Sequence, residues 1–145
     1  MKKILTALLL SAAAITPALA RDTVLRLPLA DVLEMPEAKA KLDGSVHFYL
    51  AGQKTPRVIQ KMNEDISNRK TNGVGKSDQA GCQWAALSAL LAFQENAKKI
   101  GANAVIDIES YYKRDTSKSA TEYECHAGAV IIGVTLKGTY AKVAR

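Results

Sequence analysis

The sequence is poor in the residues that catalytic and metal centres are built from. Its 145 residues include two histidines, two cysteines and one tryptophan. A zinc site wants about four Cys, His or acidic ligands at recognisable spacing. A cysteine–histidine hydrolase needs a free thiolate beside a base. Redox-active cysteines usually stand close together, as in Cys-x-x-Cys, whereas Cys82 and Cys125 are far apart in the chain. No apolar run reaches the roughly 20 residues of a membrane-spanning helix; Ile4–Ile15 has 12. There is no internal repeat, no low-complexity linker and no sign of a second domain. Charge is also balanced. The formal net charge of +6 falls to +4 once Lys2 and Lys3 are set aside, which is too little to imply nucleic acid. The basic residues are scattered apart from Arg69-Lys70, Lys98-Lys99 and Lys113-Arg114. They suit a solvated surface or, more sharply, a weak site for anionic lipid headgroups or polyanions.

What is present begins with a targeting segment. Lys2 and Lys3 precede the apolar run, Pro17 breaks it, and Ala18-Leu19-Ala20 is a small-x-small cleavage motif. We expect a signal peptide over 1–20 with cleavage between Ala20 and Arg21, a periplasmic or secreted product, and no membrane span after cleavage. The remaining 125 residues are enough for one compact domain. After export two cysteines with no third point to one bridge, Cys82–Cys125, that pins a helix to a sheet.

Residues 78–100 read as one long helix. Ser77 or Asp78 can cap its first turn, and Gly101 suits the left-handed position that ends a helix. Ala86, Leu90, Phe93, Ala97 and Ile100 make one apolar face, widened by Trp84, Leu87 and Leu91. After Gly101 the period changes. Ala104, Ile106 and Ile108 alternate with polar or smaller neighbours, and Tyr111 and Tyr112 extend the run. Residues 113–119 form a polar tip, and a second strand runs from Tyr123 to Leu136, with Gly128 and Gly133 marking a bulge or close approach. Two strands joined by a short tip should pair antiparallel.

Upstream, 21–44 reads as an arm. Leu25, Leu27 and Leu29 could add an extended segment, and Pro36–Leu42 suits one short helix. Val46–Leu50 is a strand, and one more lies within 58–70. The predicted fold is therefore α+β: an antiparallel sheet of three or four strands in 45–145, with helix 78–100 on one face and one disulfide.

Candidate chemistry is sparse. Glu122, Glu124 and His126 share one strand face and could gather a metal if His47 lay opposite. Gly75-Lys76-Ser77 matches the end of a nucleotide-binding loop, but Lys70 stands where its first glycine belongs. We expect no catalytic residues and no cofactor. Tyr111, Tyr112 and Arg114 belong to the types enriched at binding hot spots. They are the candidate contacts for an envelope protein or surface component, with a small metal-binding protein as the alternative reading.

The segments Lys70-Thr71-Asn72, Cys82-Gln83-Trp84-Ala85, Gly101-Ala102-Asn103-Ala104-Val105, Ser110-Tyr111-Tyr112-Lys113 and Glu122–Val130 resemble a family of small exported proteobacterial proteins often labelled "excinuclease ATPase subunit". The similarity covers nearly the whole chain after residue 20. The label does not carry over, because this sequence has neither a complete nucleotide-binding loop nor zinc cysteines. Ala102–Val105 after a helix, and Cys125 followed by Ala129-Val130 and Ile132-Gly133, more faintly resemble the periplasmic domain of the Rcs stress-sensor lipoprotein and the YbjQ-like heavy-metal-binding proteins. The sensor resemblance implies a bridge from helix start to last strand, matching Cys82 with Cys125. The sensor also has a second disulfide and a lipid anchor, and this chain has neither.

Overall fold

A computed structural model describes residues 21–145; the signal-peptide assignment over 1–20, Ala20 included, lies outside the described residues. In chain order the elements are β1 (Thr23–Pro28), α1 (Leu29–Leu33), α2 (Pro36–Lys41), β2 (His47–Leu50), β3 (Val58–Asn72), α3 (Asp78–Ile100), β4 (Ala104–Ser110), β5 (Glu122–Ala127) and β6 (Ile131–Val143). A short turn, Tyr112–Arg114, lies between β4 and β5.

The fold is α+β, with α3 as the long helix. Ser77 caps it, its hydroxyl accepting from the Ala80 N–H at 3.1 Å, and Gly101 ends it at φ 76°. Ala86, Leu90, Phe93 and Ala97 are buried as their spacing predicts, together with Leu87. Ile100 and Trp84 are exposed instead. Trp84 lies under Lys41 Nζ of α2, which is 4.9 Å from its ring.

The sheet departs from expectation in three ways. Six strands of the described residues take part, not three or four. β6 is the spine: β3 runs antiparallel along one edge, while β5 and then β4 share the other. β1 adds outside β5 and β2 outside β4. Second, β2 and β4 pair parallel. Their connection passes through β3 and α3, which is the long crossover that a parallel pair requires. Third, the strand expected over 123–136 turns back on itself. The Gly128 N–H donates to the Ile131 carbonyl at 2.8 Å, closing a hairpin between β5 and β6. The antiparallel partner of β4 is consequently β6, and only Ser110 and Ser117 bridge across the polar tip.

The arm joins the same structure. β1 pairs with β5 over six residues, α1 and α2 form in place of the one short helix expected, and Leu29, Val32 and Ala38 are buried in the core. The disulfide Cys82–Cys125 is present, with Cα atoms 5.8 Å apart. It ties α3 to β5, and both cysteines are fully buried.

Candidate functional site

Alternation along β5 decides what faces where. Tyr123, Cys125 and Ala127 point into the α3 core, so Glu122, Glu124 and His126 occupy the opposite face. There His126 is nearly enclosed, its side chain 11% exposed. Its Nε2 lies 2.7 Å from Glu124 Oε1 and its Nδ1 3.0 Å from Asp22 Oδ1. The ring donates to both carboxylates when both nitrogens carry protons. Arg26 pairs with Glu124 at 3.1 Å and donates to Ser117 Oγ at 2.7 Å. The Glu124 N–H donates to the buried Ser110 hydroxyl at 2.8 Å.

Tyr112 covers this bed. Its ring stacks on His126, centroids 3.6 Å apart and planes 13° from parallel. The Tyr111 N–H donates to the Thr135 carbonyl at 2.8 Å, and Lys137 Nζ sits 4.9 Å from the Tyr111 ring. Had the strand run on through Tyr112 as the sequence suggests, the two tyrosines would point to opposite faces. Because the chain leaves β4 at Ser110 and enters a turn, both rings instead lie on the face away from α3. Beyond them Lys113 and Arg114 adopt φ 50° and 67°, a left-handed conformation that non-glycine residues take at a cost. Lys113 Nζ hangs 5.5 Å from the Tyr112 ring, and Arg114 is exposed. Beside the stack is a cleft of about 360 Å³ whose walls include Arg21, Lys70, Lys113 and Ile131.

Both nitrogens of His126 face carboxylates, so the hydrogen bond from base to nucleophile used in covalent catalysis is not made there. The disulfide removes Cys125 as a thiol. His47 lies on β2, separated from β5 by β4 and β6, so it does not meet Glu122, Glu124 and His126. Asp22 and Glu124 approach opposite edges of the imidazole, where they cannot share one ion with the same ring nitrogen. Among the described residues no group of three or more His, Cys, Asp or Glu side chains could hold a metal.

Arg21 was named in the sequence only as the residue after the cleavage motif. It anchors the start of β1, donating to both Asp78 carboxylate oxygens at 2.8 and 2.9 Å and to the Gly128 carbonyl at 2.8 Å. The guanidinium holds the Asp78 carboxyl below its usual range. Asp22 and Arg26 gave no signal in the sequence, because their roles depend on the β1–β5 pairing. The chain matches no model of a known protein family and no curated protein.

Proposed function

We propose that this chain is an exported, non-catalytic binding module of the cell envelope, which holds a protein or surface component through the Tyr111–Arg114 turn. The observation that carries this reading is the pair of consecutive left-handed residues, Lys113 and Arg114. Each costs on the order of 1–3 kcal/mol in backbone strain. A turn that served only to join β4 to β5 could place glycine there without that cost. Here the strained positions carry two cations into solvent, on a bed braced by the Tyr112–His126 stack and its carboxylates. A stacked aromatic ring on a braced turn loses little freedom on binding. Export is supported by the targeting pattern of 1–20 and by a disulfide, which persists in oxidising compartments.

The test is capture from envelope extract, identification of the captured component by mass spectrometry, and titration of that purified component. Arg114→Asn keeps a residue that tolerates the left-handed region and removes the guanidinium. We expect it to weaken binding about tenfold or more, as for a hot-spot side chain, with the melting temperature unchanged. Parent-like affinity in Arg114→Asn and Tyr112→Ala alike would sink the reading. The metal-binding alternative has less support from the geometry. It returns if elemental analysis of untagged protein finds stoichiometric metal that His126→Ala removes.

A further inference from the structure

A second surface, outside the Tyr111–Arg114 turn, lies where two loops meet at the end of the sheet. The Gly73 N–H donates to the Val130 carbonyl at 2.6 Å, and Asn72 pairs with Ile131. This holds the β3–α3 loop against the β5–β6 turn. Three apolar side chains project from the junction: Val74 is 62% exposed, Val130 55% and Ile131 50%. Adjoining exposed side chains of this kind mark an interaction site more often than scattered ones do. Their surroundings are cationic. Lys70 and Ile131 line the same cleft, and Lys76 reaches Thr71 at 3.3 Å. Among the described residues neither lysine has a carboxylate within ion-pair distance. The two acids nearby are already engaged, Asp78 by Arg21 and Asp22 by His126.

We infer that this tip docks on an anionic membrane surface, with the valines and Ile131 entering between headgroups and Lys70 and Lys76 meeting the phosphates. One feature favours a bilayer over a protein groove. Apolar side chains on two adjacent turn tips, ringed by unpaired lysines, match the layering of an interface, with apolar groups deep and cations at headgroup level. Arg21 is fixed at this same tip through Gly128 and Asp78.

The probe is co-sedimentation with phosphatidylcholine vesicles, with and without phosphatidylglycerol, at about 0.15 M salt, where the screening length is roughly 8 Å. Intact mass first reads the N terminus, and every variant shares it, so residues 1–20 cannot account for differences among variants. The parent should bind anionic vesicles and release them as salt rises. Lys70→Gln/Lys76→Gln should lose roughly fivefold per lysine. Val74→Ser/Val130→Ser should lose roughly tenfold through apolar transfer. Val130→Trp, which needs no loss of binding to be read, should shift its emission to shorter wavelength on anionic vesicles, beyond any shift of the parent's Trp84. Three results overturn the inference: equal binding to neutral and anionic vesicles, loss in the lysine pair with full retention in the valine pair, or a tip-dependent dimer without vesicles. The second would mark a site for polyanions, and the third a contact between two copies.

Discussion

Tyr123 shows how one residue is used differently from its apparent role. Its period in β5 marks an inward strand position, and the ring is buried at 1% exposure. Its hydroxyl, however, has no hydrogen-bond partner among the described residues. Burial, reinforced by Asp31, pushes that phenol well above the ordinary tyrosine value. An unsatisfied buried hydroxyl costs about 1–3 kcal/mol. Tyr123→Phe keeps the ring and removes the cost, so it should raise stability by up to that amount. Urea denaturation checks this, and a lower midpoint in Tyr123→Phe would mean that the hydroxyl is satisfied after all. The sequence placed Tyr123 at the start of a strand, but it could not show that the hydroxyl is buried without a partner, because that depends on how α1 and β1 pack over β5.

At the scale of elements, α3 was legible from end to end, because its caps and its period are local. The strand after it was legible at its start, but it ends at Ser110 and does not run on through Tyr112, and its shape was not legible. Asp107 at φ 52° interrupts the register between Ile106 and Glu109. That bulge lets Val105 and Ile108, three residues apart, both face the helix. The hairpin at Gly128 was read as a bulge or close backbone approach inside one strand, because these features all use glycine. The parallel β2–β4 pair left no local signal at all. The candidate site followed the same rule. Tyr111, Tyr112 and Arg114 were legible by residue type, while Asp22, Arg26 and the left-handed pair needed the fold. Gly138 belongs with the illegible set. A Cβ there would stand 2.6 Å from Val105 Cγ1 and 3.1 Å from Ile108 Cγ1, so the glycine lets β6 pass the bulged part of β4. Gly138→Ala should cost about 1–3 kcal/mol by overpacking. An unchanged thermal midpoint in that variant would show that β4 yields freely, and that the bulge is not wedged against β6.

The described residues form a helix layer on one face of a sheet, and the disulfide cross-links the two. Cys82 and Cys125 are 43 residues apart in sequence. The loop they close contains nearly all of α3, β4 and the Tyr111–Arg114 turn, whereas β6, the strand to which those parts attach, lies outside it. Closing a loop of about 44 residues is worth roughly 4 kcal/mol in the chain-entropy estimate, and removing such a bridge from a small secreted domain typically costs 2–5 kcal/mol. Against a total stability on the order of 5–15 kcal/mol, that is a large share for one bond. Cys82→Ala/Cys125→Ala avoids an odd thiol and should lower the unfolding free energy by about 2–5 kcal/mol, read as a lower urea midpoint. The folded spectrum should survive at low temperature, because the buried face of α3, from Ala86 through Leu90 and Phe93 to Ala97, does not depend on the bridge. Protein from its native compartment should have no titratable thiol when unfolded, and its intact mass should fall two hydrogens below that of the reduced chain. If the double variant unfolds at the parent's urea concentration, the helix and sheet are held by packing alone, and the cross-link adds nothing that the core does not already supply.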